Sequence, residues 1–219
     1  TYKINGLSYD GFVKYFDLNK ALRDLSLNHP NSYVRITIYS SAEVSLSLKN
    51  FGLCDLEMDI KCRQIKDLDS HLKLLSMPYP YSRSYMPVKD GSYILRIKDK
   101  RDASFKGYDD VLYIQDGFIV ELSTSNVVFF KKDHFYTPAG DNFLKGITLK
   151  NFENFCLLNK LQFELQNIKM TDLYQFDGAF ALNAVRLMDP IIKIDTNVFD
   201  PERIKSIKHS FHKYCMERF

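Results

Sequence analysis

The chain has 219 residues, 45% of them apolar, with 17 Phe and 14 Tyr filling the place of an absent Trp, which is enough apolar side chain for a substantial core. Its 30 basic and 27 acidic residues leave a net charge of only +3, which argues against a polybasic face for nucleic acid or a membrane surface. No apolar run approaches the length of a membrane span, the opening TYKINGLSYDG lacks a signal-peptide h-region, and the four cysteines are scattered without a CxxC pair, so a reduced, cytoplasmic protein is expected.

In chain order, the spacing predicts a short helix near 17–28 and then a strand in SYVRITIYS, alternating around Val34, Ile36 and Ile38. SAEVSLSL reads as its hairpin partner and LEMDIKCRQI as a further strand, while LDSHLKLLSM fits either kind of element. The three prolines of MPYPYSRSYMP, residues 77–87, break any regular element and read as a connection between domains. Residues 91–106 are charged with a helical pattern. GYDDVLYIQDGFIVEL then gives a strand, a Gln-Asp-Gly turn and a returning strand, and NVVFFKKDHFYTP repeats that pattern with its turn at Lys132–Asp133. LKNFENFCLLNKL places Phe152, Phe155, Leu158 and Leu161 on one face of a helix. LQFELQNI, FALNAV and DPIIKID are strand-like. Asp-Pro-Glu at 200–202 supplies an N-cap and a proline at the first turn of a closing helix striped by Ile204, Ile207, Phe211 and Tyr214. The class is α+β in two lobes: a small N-terminal α/β lobe over 1–80, a linker over 81–90 and a larger C-terminal lobe over 91–219.

Three places suggest chemistry. In FLKGITLKNF, a glycine leads into Ile147 and Thr148 at the start of an amphipathic helix, where free N–H groups and the helix dipole attract an anion; an ordinary helix cap explains the same residues. In VELSTSNVVFF, Glu121 stands among small polar residues between two strand-forming runs, as a ligand-facing carboxylate or a solvated strand end. In LNAVRLMDP, Asn183 interrupts an apolar strand, as a site residue or as a buried amide satisfying its own backbone. The five histidines are not grouped with the cysteines, so no metal site is suggested.

The order of these segments carries more than any one of them. A hairpin after GYDD, then Glu121 and Asn126 in ELSTSN, then TP, then LKGIT, then a late strand with LNAV, resembles the class IV aminotransferases, the fold-type IV pyridoxal-phosphate enzymes. That family includes branched-chain aminotransferase, D-amino acid aminotransferase and 4-amino-4-deoxychorismate lyase. The match runs from about residue 83 to 192 and is faint over 1–80. It implies a pseudo-barrel form for the C-terminal lobe, pyridoxal 5′-phosphate as cofactor, a small-molecule substrate and a homodimer with buried active sites.

The resemblance also implies roles. Lys89, in MPVKDGSY, stands where the family carries the lysine that bonds the cofactor aldehyde; such an amine must be partly neutral, which asks for desolvation or nearby positive charge. Glu121 would pair with the pyridine nitrogen and keep the ring electron-accepting. Asn126 completes the same motif beside the cofactor. Tyr93 stands one residue from the family tyrosine that bonds the ring hydroxyl. Ile147 and Thr148 would offer phosphate N–H groups, with Asn183 and Ala184 supplying another contact, and Arg83 would help hold phosphate or a substrate carboxylate. Two departures stand out: YFDLNKALRD lacks the family's H-x-x-R phosphate arginine, leaving Lys20 or Arg23 as substitutes, and Leu149 occupies the position of the GITR arginine. Arg35 is a further candidate for substrate contact.

LNAVRLMDPI resembles the corresponding segment of the aminodeoxychorismate lyases, so the first expectation is elimination of pyruvate to give 4-aminobenzoate for folate synthesis. The alternatives are an aminotransferase of branched-chain or D-amino acids, and a non-catalytic relative that keeps the fold for binding or assembly.

Overall fold

The computed structural model describes residues 17–29, 32–40, 56–64, 70–79, 94–140 and 144–217. The chain divides into two compact units, Thr1–Asp67 and Leu68–Phe219. In the first, α1 (Leu18–Asn28) starts at Asp17 and is closed by the His29 N–H on the Leu25 carbonyl at 2.9 Å. Strands β1 (Ser32–Ser40) and β2 (Leu56–Gln64) pair antiparallel over their full lengths, from Ser32 opposite Gln64 to Ser40 opposite Leu56. The segment SAEVSLSL, expected to be the hairpin partner of β1, lies outside the described residues.

The second unit is built on a nine-stranded mixed sheet in the order β5-β4-β3-β10-β9-β6-β7-β8, with β11 beside β10. Its strands are β3 (Leu72–Pro78), β4 (Asp110–Gln115), β5 (Phe118–Leu122), β6 (Asn126–Lys131), β7 (His134–Pro138), β8 (Gln162–Gln166), β9 (Gly178–Asn183), β10 (Leu187–Ile194) and β11 (Asn197–Val198). Its helices are α2 (Ile94–Phe105), α3 (Ile147–Leu158) and α4 (Glu202–Met216), with a 3-10 turn at Met170–Gln175. The β4–β5 hairpin turns on Asp116 and Gly117, whose φ angles of 53° and 80° lie in the left-handed region that a tight two-residue turn requires.

Strand β3 corrects the expected domain boundary. LKLLSMP was ambiguous by pattern, yet it pairs parallel with β4 on one side and β10 on the other, and Leu74 is fully buried. Its burial runs from exposed Lys73 through buried Leu74 to a stretch of half-buried residues, so it gives no clean alternation to read. The first lobe therefore ends at Asp67 and not at 80. Met77 and Pro78, read as part of a connection, end this strand, and the Tyr79 N–H continues the ladder to the Ile114 carbonyl at 2.8 Å. The expected linker over 81–90 lies outside the described residues.

Side chains alternate cleanly across the sheet. Val128, Phe130, Phe180 and Leu182 point into a core with α3 and α4, while Val127, Phe129, Ala179 and Ala181 point into a second core with Ile168, Leu173 and Phe199. Phe152 of α3 is the hub of the first core, with edge-to-face contacts to Phe135, Phe180 and Phe211 at centroid distances of 5.1–5.3 Å. The α3 face buries Leu149, Phe152, Phe155 and Cys156; Leu158, expected on it, is exposed because the helix ends there and the chain turns away through Asn159 and Lys160.

Candidate active site

Strands β5 and β6 are joined by a turn closed by the Leu122 N–H on the Ser125 carbonyl at 2.9 Å. Just before that turn, Glu121 is 4% exposed. Its Oε1 receives a 2.6 Å hydrogen bond from Nη2 of Arg96 and a 3.3 Å bond from the Tyr79 hydroxyl, which itself accepts from Nη2 at 3.1 Å. Nη1 of Arg96 donates to the Ser123 carbonyl at 3.1 Å. The guanidinium lies 5.8 and 5.6 Å from the ring centroids of Tyr79 and Tyr113. Burial opposes its charge, but Glu121, by charge and hydrogen bond, outweighs that and holds its pKa above the ordinary value.

A second pair repeats the theme one helical turn later. Asp110, 3% exposed, accepts from Lys100 Nζ at 2.9 Å, from its neighbour Val111 N–H at 2.8 Å and from the Ser123 hydroxyl. Arg96 and Lys100 are four apart on α2, so one helix face supplies a cation to each of two buried carboxylates. Tyr113 completes the layer by donating to Asp99 at 2.9 Å; burial and that carboxylate push its hydroxyl far above the usual range, so it stays a donor.

At the start of β6, Asn126 spans the loop that enters α3. Its Nδ2 donates to the Leu144 carbonyl at 2.8 Å and its Oδ1 accepts from the Gly146 N–H at 3.1 Å. A Cβ on Gly146 would lie 2.7 Å from that oxygen, so only glycine allows this approach. Helix α3 then begins with no side-chain cap and no acid in its first turn. Thr148 is buried and Ile147 exposed, and the first-turn N–H groups with the helix dipole present an anion-binding end of the kind that takes a phosphate. Across the sheet, Asn183 donates to the Ser125 hydroxyl at 3.2 Å and accepts from the N–H groups of Val185 and Arg186 at 2.9 and 3.0 Å. It therefore shapes the β9–β10 turn and ties it to the β5–β6 turn.

Of the residues singled out from sequence, Glu121, Asn126, Ile147, Thr148, Asn183 and the exposed Ala184 are linked through these turns at one end of the second unit's sheet. Lys89, Tyr93 and Arg83 lie outside the described residues. Lys20, Arg23 and Arg35 are exposed and belong to the first unit. Leu149, standing for a family arginine, is 4% exposed and packed in the first core. The sequence reading missed Arg96 and Tyr79. The charged pattern of 91–106 gave no cue to which of its cations turns inward, and Tyr79 was read as linker.

A family model for class IV amino-transferases matches residues 20–194. The chain belongs to the class IV aminotransferase family. A curated relative, the probable branched-chain-amino-acid aminotransferase of Rickettsia typhi, is 29% identical over 180 residues, which are 77% of this chain and 60% of the relative. The chain thus spans 60% or less of the curated relatives it matches first. Among solved structures, a putative 4-amino-4-deoxychorismate lyase from Legionella pneumophila superposes with a TM-score of 0.79 at 18% identity, over 95% of this chain and 78% of that one. A hypothetical aminotransferase from Mycobacterium tuberculosis in its PLP-bound form superposes at 0.80 and 13% identity, over 99% and 79%. The expected α+β, fold-type IV architecture is therefore observed. The family's cofactor is pyridoxal phosphate, and the residues present fit it: an uncapped helix start shaped by Asn126 and Gly146 suits a phosphate, and the buried Glu121 suits a cationic ring.

Proposed function

We propose that this chain carries the catalytic apparatus of a pyridoxal-phosphate enzyme, and that its reaction is elimination of pyruvate from 4-amino-4-deoxychorismate. What supports the cofactor site is one observation: a buried carboxylate and a glycine-led, uncapped helix start are joined through a single tight turn at one end of one sheet. The bound cofactor supplies an electrophilic carbon and an electron-accepting ring. Glu121 faces the ring nitrogen, the N–H groups of Ile147 and Thr148 receive the phosphate, and Asn126 holds their loop in place. By the resemblance Tyr93 would meet the ring hydroxyl, and the turn at Asn183 and Ala184 would border the phosphate. Arg83 would offer charge for phosphate or a substrate carboxylate.

Lys89 acts twice. Its amine would hold the cofactor at rest and, when free, would serve as the general base for the ring proton beside the substrate nitrogen. Pyruvate leaves as the substrate ring aromatises to 4-aminobenzoate, and no amino acceptor is consumed. The lyase reading draws on LNAVRLMDPI, whose asparagine orders the β9–β10 turn. A second reading, a branched-chain or D-amino acid aminotransferase, is favoured by the names of the curated relatives. The homodimer and a cytoplasmic location belong to this proposal; no helix among the described residues is long and apolar enough to cross a membrane.

The test is direct. Purified protein given aminodeoxychorismate without any 2-oxo acid should release pyruvate, and a strict need for an acceptor would transfer the assignment to the aminotransferase reading. An absorption band bleached by borohydride and absent in Lys89→Ala is expected; a wild type with no such band would refute the cofactor proposal itself.

A further inference from the structure

We propose that Arg96 is a positioning residue for Glu121 that also limits how much negative charge this carboxylate presents to the cofactor's ring nitrogen. The inference rests on the pyridoxal-phosphate reading above. Three observations carry it. First, the guanidinium is held at both ends: Nη2 on Glu121 Oε1 at 2.6 Å, Nη1 on the Ser123 carbonyl at 3.1 Å. Its anchor is therefore the same turn that carries Glu121, and it cannot leave the carboxylate without abandoning a buried carbonyl as well. Second, the Tyr79 hydroxyl links the two side chains: it accepts from Arg96 Nη2 at 3.1 Å and donates to Glu121 Oε1 at 3.3 Å. Third, the side chains of Arg96 and Glu121 are 6% and 5% exposed, so little water screens the pair.

A carboxylate facing a pyridinium raises the affinity of the ring nitrogen for its proton, because the two opposite charges stabilise each other. Here the same carboxylate already has a guanidinium on one oxygen and a hydroxyl donor beside it. The field it presents to the ring is that of a partly neutralised pair. The ring-nitrogen proton is consequently held less firmly than it would be by the same carboxylate alone, and Arg96 sets that difference without touching the ring.

The experiment follows ring-15N-labelled pyridoxal phosphate bound to the protein by NMR across a pH series, with cofactor affinity measured alongside by fluorescence. In Arg96→Gln the midpoint of ring-nitrogen deprotonation should rise by about one pH unit, as expected for loss of one nearby unscreened cation. Arg96→Lys, which keeps the charge, should return the midpoint close to that of the wild type. A folded, cofactor-loaded Arg96→Gln with an unchanged midpoint would overturn the proposal. If that variant does not fold, Tyr79→Phe decides: losing the shared hydroxyl should raise the midpoint in the same direction, and no change would be equally fatal. A wild type that binds no cofactor would instead sink the reading beneath it, which keeps the two failures distinct.

Discussion

Asn126 donates to one carbonyl of the loop entering α3 and accepts from one N–H of the same loop, so a single amide fixes both sides of the helix start. Asn126→Ala leaves the Leu144 carbonyl and the Gly146 N–H without this partner, a cost of about 1–3 kcal/mol when such groups are buried. The expected result is a lower melting temperature and roughly tenfold weaker binding of pyridoxal phosphate, the latter equivalent to about 1.4 kcal/mol; fluorescence titration checks it. Much of this constellation was legible in the sequence. Glu121, Asn126, Gly146 and Thr148 stand in an order that only the motif frame makes informative. Arg96 was not legible. It shares α2 with Lys98, Lys100 and Arg101, and the helix inverts the usual pattern, exposing Ile94, Ile97 and Phe105 while burying the guanidinium. Apolar periodicity cannot point to a face that is buried for the sake of charge.

Among the elements, α4 shows a pH-sensitive contact. Its His212 imidazole is pulled below the usual pKa first by burial and further by the charges of Lys208 and His209; a hydrogen bond involving the Arg186 backbone and the charge of Asp189 act the other way. Nε2 of His212 is buried without a hydrogen-bond partner, consistent with a neutral ring. The sign follows from linkage. Above the ordinary histidine value of about 6.5 the ring is neutral folded and unfolded, and contributes nothing. As pH falls below it, the unfolded chain takes up a proton that the folded chain resists, and stability drops. Between pH 7.5 and 5.5 the wild type should therefore lose more thermal stability than His212→Leu, by a gap on the order of 2 °C. Equal losses in calorimetry would contradict this assignment. For the elements themselves, hairpins and helices were readable from turn residues and periodicity. Strand β3 was not, since a short, mostly apolar run without clean alternation looks alike in a strand and a helix.

For the whole molecule, the separable piece is set by β3. A fragment beginning at Leu68 keeps the full nine-stranded sheet, whereas one beginning at 81, where the sequence first suggested a linker, loses the strand between β4 and β10. The expectation is a cooperative urea transition for 68–219 and none for 81–219, read by circular dichroism. A cooperative 81–219 fragment would show that the ladder partners of β3 can close without it. The sequence pattern put a boundary near 80 where the contacts divide at Asp67, because prolines near 78–87 punctuate the sequence more strongly than the seam at Asp67 does.

The same strand has a consequence in time. Leu72 finds its parallel neighbour in Ile191, far along the sequence, so this early strand must wait for β10 to be made before that edge is paired. Closure across so long a loop is slow, and until β10 arrives that β3 edge stays open to foreign strands. Synthesis itself thus opens a window in which chaperone protection matters most.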